Sequence, residues 1–223
     1  MTRPRPDLRT LGLVAGWTLA LTIALACDAA ESSRPELPIG DLDGPWQSIP
    51  MGVPRDVVAA ALAACRVRPP EPRPAGGGGG PIVVPDQPVL IDARGMGRLH
   101  VLFARRDIAF DCGLGRAADG RWDAGVESSA SHEGPIPPAG QARILDVSSV
   151  ESNDDNGRRE SRTLVVGRVG AGVPAVRLLL GNDTTVRATT GASWCLAWWP
   201  SDEQAFRIQE LDASGQPLGP PHD

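Results

Sequence analysis

The chain of 223 residues contains no lysine and no tyrosine. Every basic residue is arginine, so lysine chemistry (a Schiff base, or an amine whose pKa has been lowered) is excluded. Histidine is scarce: His100, His132 and His222 are the only three. No Cys-x-x-Cys and no paired-histidine spacing is present, so a zinc site is not expected. The Gly-x-Ser-x-Gly turn of the α/β-hydrolases is also missing. No cofactor motif follows Cys27, so no cofactor is expected. Positive charge is in deficit, with 22 basic against 27 acidic residues and a net charge of −5. Removing residues 1–26 takes away three Arg and one Asp, leaving 19 against 26, a net charge of −7. That balance argues against nucleic acid or anionic lipid as the main partner.

What is present begins with the N-terminus. Arg3, Arg5 and Arg9 precede an uncharged apolar run of 17 residues, Leu11 to Cys27. A positive start followed by such a run is the pattern of a secretory signal. The run is shorter than the roughly 20 residues a membrane span prefers. Its end, Ile23-Ala24-Leu25-Ala26-Cys27, resembles a bacterial lipobox. That resemblance implies cleavage after Ala26 and acylation of the Cys27 thiol. Several acyl chains on one residue anchor far more firmly than one. An uncleaved anchor and cleavage with release are the alternatives. All three place residues 28–223 outside the cytoplasm, and the arginines ahead of the apolar run agree with that orientation.

The remaining 197 residues divide by composition. Residues 27–51 are rich in Pro, Ser and acids and read as a lipid-anchored spacer, with Trp46 packing onto the edge of the folded domain. Pro54 to Arg66 is the one convincing helix. Pro54 suits a first turn, and Asp56 and Arg66 sit at the ends the helix dipole favours. Val57, Val58, Ala61, Leu62 and Cys65 share one face. Four prolines between Pro69 and Pro74 and then Gly76 to Gly80 read as a surface loop.

From Pro88 onward, short alternating runs recur between turn signals. Leu99, Val101 and Phe103 alternate along one strand, and Ile108, Phe110 and Cys112 along the next. Asn156-Gly157 is the strongest hairpin signal, because a type I′ turn needs positive φ at both central residues. Nearly ten short strands and one helix predict an all-β fold. The expected form is a small antiparallel β-sandwich with one short N-terminal helix, spanning residues 52–219 with a tail at 220–223.

Val176-Arg177-Leu178, Val186-Arg187-Ala188-Thr189, Ala197-Trp198-Trp199-Pro200 and Asp212-Ala213-Ser214-Gly215 occur in that order, after Asp92-Ala93-Arg94-Gly95 further upstream. This series resembles the C-terminal part of uncharacterised secreted or membrane-anchored proteins of GC-rich bacteria. The resemblance implies a β-rich extracytoplasmic domain and no particular activity.

With Cys27 acylated, Cys65, Cys112 and Cys195 remain, and outside the cytoplasm two of them should oxidise. Cys65 and Cys112 both point inward by periodicity and are the expected pair, with Cys112–Cys195 as the alternative. His100 reads as a half-exposed strand residue and His222 as part of the tail. His132 stands in Ser128-Ser129-Ala130-Ser131-His132-Glu133, the one place where a Ser–His hydrolase site is imaginable. Asp154-Asp155 and Asp212-Ala213-Ser214-Gly215 lack the spacing of a calcium loop and read as turns. Trp194 and Trp198 share a strand face with Leu196 and belong in a core. Trp199 points the other way and is the candidate ligand surface, since an exposed tryptophan can stack on a sugar ring. The expectation is a non-catalytic, lipid-anchored interaction or structural module facing an envelope protein. A cell-wall glycan module using Trp199 is second, and a hydrolase near His132 third.

Overall fold

The structure is a computed structural model that describes residues 40–67, 88–105, 108–124, 132–153, 159–204 and 206–223. Among the described residues one helix, α1 (Arg55–Val67), precedes eleven strands: β1 (Pro88–Ala93), β2 (Arg98–Arg105), β3 (Ile108–Arg116), β4 (Trp122–Ala124), β5 (His132–Glu133), β6 (Ala142–Asn153), β7 (Arg159–Val169), β8 (Ala175–Leu180), β9 (Thr185–Gly191), β10 (Trp194–Trp199) and β11 (Phe206–Leu211). They form two antiparallel sheets. In the first, the order is β1-β2-β3-β4, with β5 also paired to β3. In the second it is β11-β8-β9-β10-β7-β6. The fold is all-β and sandwich-like, with a single short helix among the described residues, as the patterning predicts.

Period-2 alternation distributes β2 and β3 between two layers. Leu99, Val101, Phe103, Cys112 and Leu114 pack against Ala61 and Cys65 of α1. The opposite face carries Leu102 and Ala109, which meet Leu164 and Val166 of β7 and Trp194, Leu196 and Trp198 of β10. The helix therefore lies on the outside of the first sheet, and the second sheet lies on its inside.

The second sheet curls. Every one of its strands contributes to one further apolar cluster: Ala142 (β6), Val165 (β7), Leu178 (β8), Val186 (β9), Ala197 (β10) and Ile208 (β11) among them. Strand β10 is consequently buried on both faces, all six residues of Trp-Cys-Leu-Ala-Trp-Trp included. Its uninterrupted apolar composition suits a strand with no solvent side.

Two turns carry specific chemistry. Strands β9 and β10 pair from Gly191↔Trp194, so Ala192 and Ser193 form a two-residue hairpin loop. Both have positive φ, 48° and 63°, the type I′ requirement met without Asn or Gly. After β11, the Asp212 carboxylate accepts hydrogen bonds from Ser214 N, Ser214 Oγ and Gln216 N at 2.9, 2.7 and 2.8 Å. Asp212 is thus a turn residue, as its sequence context suggests. Strands β6 and β7 pair as far as Asn153↔Arg159; Asp154, Asp155 and the Asn156-Gly157 turn lie outside the described residues.

Both expected domain boundaries move outward. Residues 40–51 are not spacer but a strap laid across the β1–β2 turn and onto β9. Leu42 O accepts from Gly97 N, Gly44 O from Met96 N, and Arg94 O from Gln47 N, each at 2.7 Å. Ser48 O accepts from Arg187 N at 2.9 Å. Leu42 and Met51 are buried, each contributing roughly 1.5–3 kcal/mol. Trp46 packs on the domain as expected, and its Nε1 donates to Trp198 O at 3.2 Å. Gly95 (φ 93°) makes the close approach possible: a Cβ there would lie 2.5 Å from Pro45 O. A composition poor in large apolar residues hid the strap, because its attachment runs mainly through backbone groups that any sequence carries. At the other end, the tail is not free: His222 pairs with Ile208.

Candidate functional site

The helix and β3 are joined covalently. Cys65 and Cys112 form a disulfide, with Cα atoms 6.1 Å apart. Helical periodicity turned Cys65 inward and strand alternation turned Cys112 to the same layer, so they meet. Cys195 is free and buried. It sits in the curl of the second sheet, whereas Cys112 faces α1, so the Cys112–Cys195 alternative is excluded. Burial pushes the Cys195 thiol up to about 12, with only a partial offset from the Gly167 backbone. A thiol held in that state is not a nucleophile.

Between the sheets lies a polar layer. Asp92 and Arg94 are both 0% exposed. Arg94 Nε and Nη2 donate to the Asp92 carboxylate at 2.7 and 2.9 Å. Its remaining reach goes to Ser48 O at 2.8 Å and Arg187 O at 2.5 Å. Thr189 Oγ1 completes Asp92 at 2.6 Å. One guanidinium thus ties the strap, β1 and β9 together through charge-assisted bonds. Further along, Arg98 meets Glu160 at 3.1 Å, and Arg168 lies 4.1 Å over the Trp194 ring.

His100 is in this layer as well. It is 5% exposed, not the half-exposed residue its strand position suggests, because the second sheet covers that face of β2. Its Nδ1 is 3.8 Å from Asp111 Oδ2, and its ring is 5.6 Å from that of Trp198. A His–Asp pair is general-base chemistry in principle. Here the carboxylate is 0% exposed and Trp198 closes the ring face, so no substrate reaches it.

The open chemistry lies instead at the seam of the curled sheet. A cleft of about 550 Å³ is lined by the Pro135–Pro138 loop, Gln141 to Ile144, Ile208, His222 and Asp223. The proline loop is seated firmly: a Cβ on Gly170 would lie 2.0 Å from Pro138 O. Beneath the cleft, Glu210 Oε1 accepts from Ala142 N at 2.7 Å and stands 3.0 Å from His222 Nε2. Burial is the largest influence on Glu210 and pushes its pKa up. The hydrogen bonds from His222, the Ala142 amide and its own backbone amide, with the charge of His222, offset it and hold the carboxyl below the usual range. The same Glu210 bond raises His222 against a smaller effect of burial.

Trp199 does not offer a ligand surface. It is 1% exposed, donates from Nε1 to Glu203 O at 3.0 Å and meets Phe206 edge-on at 5.8 Å. Alternation correctly turns it away from Trp194 and Trp198. Curling makes that other face an interior, which no single-strand pattern reveals. The backbone of His132 pairs with Ala109; its side chain, Ser128 to Ser131 and Cys27 lie outside the described residues. The Glu210–His222 pair is not legible in the sequence, since the two are twelve positions apart and His222 reads as tail. Compared with models of known families, with curated proteins and with solved structures, the chain matches none.

Proposed function

We propose that the chain is an extracytoplasmic interaction or structural module, held at the membrane by lipid on Cys27 and acting without chemistry of its own. The observation that carries this reading is the Cys65–Cys112 disulfide in a chain that opens with Arg3, Arg5, Arg9 and an uncharged run ending in cysteine. Structural disulfides persist in oxidising compartments, and that is where such a leader delivers a protein. A wall of prolines packed closely on Gly170, beside an accessible cleft, supports contact with another envelope protein. A glycan platform built on Trp199 loses its support, because the ring is enclosed.

Mass spectrometry of the membrane fraction tests the anchor. The expected species starts at an acylated Cys27; an intact chain beginning at Met1, or an unmodified Cys27, overturns it. For the non-catalytic role, the mature chain is screened against ester and peptide substrates together with His132→Ala. Turnover that this substitution abolishes would replace the module with a hydrolase.

A further inference from the structure

The C-terminal segment Gly219–Asp223 lies along β11. Ile208 N donates to His222 O at 2.6 Å and His222 N to Ile208 O at 2.9 Å. Gln209 Nε2 adds a bond to Gly219 O at 3.0 Å. At the tip of this segment, both nitrogens of one imidazole face acceptors. His222 Nε2 is 3.0 Å from Glu210 Oε1 and Nδ1 is 3.2 Å from Asp223 O. A carboxylate and a backbone carbonyl have no proton to give, so the ring alone must supply both. Only the imidazolium has two N–H groups; either neutral tautomer leaves a lone pair against one of the two oxygens.

We propose that Gly219–Asp223 is a pH-gated cover on the β11 edge, held closed while His222 carries two ring protons and loosened when it carries one. The surrounding charges favour the closed, cationic form. From β11 comes Glu210, whose side chain is 7% exposed and is fixed in place by Ala142 N. From the segment itself comes Asp223. From β6 comes Arg143, which lines the same cleft but is exposed and therefore screened by solvent. Pro135 to Pro138 bring no titratable group. Loosening the segment frees the N–H and C=O of Ile208, the pair an added strand would use at a sheet edge. It also widens the cleft that His222 and Asp223 now help to line.

Amide exchange by NMR on the full chain in detergent micelles, from about pH 5.5 to about pH 8, tests this. After correction for intrinsic exchange, protection of Ile208 N–H should fall by roughly threefold, the scale of a half-exposed ion pair. Its midpoint should coincide with the ring titration of His222, and Leu196 N–H should not follow it. In His222→Gln, which cannot be protonated, the dependence should vanish. Protection of Ile208 that stays level through the His222 titration overturns the proposal, as does a pH dependence that survives His222→Gln. If that variant does not fold, coincidence of the two midpoints in the native chain decides alone.

Discussion

Glu210 on β11 accepts a hydrogen bond from the backbone N–H of Ala142 on β6, 68 positions away in sequence. These strands are the two ends of a six-stranded sheet. One side-chain carboxylate does at this seam what a ladder of backbone bonds does between the other strands.

The seam should make stability depend on pH in a defined way. Glu210 titrates below its usual 4.5 in the folded chain, so its contribution is present above that value and is lost as pH falls through the lowered folded value. His222 titrates above its usual 6.5. Its contribution is complete below 6.5 and is lost as pH rises through the raised folded value. Urea midpoints of the native chain should therefore exceed those of Glu210→Gln most between about pH 4.5 and 6.5. A difference that grows steadily toward pH 9 would contradict the assignment.

Arg94 should be among the least replaceable residues. Truncation to alanine leaves the Asp92 carboxylate buried without its cation and removes the donor to Ser48 O and Arg187 O. The expected loss is about 3–5 kcal/mol, measured by chemical denaturation. Proteolysis should then cut first within residues 40–51, since the strap loses its fastening. A variant destabilised by under 1 kcal/mol would show that the pair is not what holds the strap.

The disulfide closes a separation of 47 residues. On the chain-entropy argument, Cys65→Ala with Cys112→Ala should cost about 4 kcal/mol. Thiol titration of the chain from Asp28 onward gives an independent reading. No group should react in the native state, because Cys195 is enclosed, and one should react in denaturant without reductant. Three reactive thiols would mean the bridge does not form.

The β9–β10 turn can be improved. Ala192 and Ser193 hold positive φ, a conformation that costs an L-residue with a Cβ about 1 kcal/mol. Ala192→Asn with Ser193→Gly supplies the residues a type I′ turn prefers and should raise stability by about 1 kcal/mol. A fall in thermal midpoint would mean that the loop is held by its surroundings instead.

Much of the architecture was legible in the residues. Alternation in β2 and β3 and the helical period of α1 turned Cys65 and Cys112 inward and made them the expected pair, but only the fold put Cys195 in a different layer and removed the alternative. The Asp212 turn was equally readable, because its bonds reach no further than Gln216. The seam pair was not readable, since Glu210 and His222 meet only after the tail folds back along β11.

By itself, then, the sequence determined what depends on neighbours along the chain: strand and helix periods, the side of each element that turns inward, turn chemistry and the apolar run from Leu11 to Cys27. Tertiary structure alone decided which faces found a second layer. Trp199 and His100 each point as alternation requires, yet the curl of one sheet and the stacking of the other bury both. The strap and the tail were settled in the same way. Their attachment is mostly backbone hydrogen bonding, which every sequence can offer and only a particular arrangement of partners can satisfy.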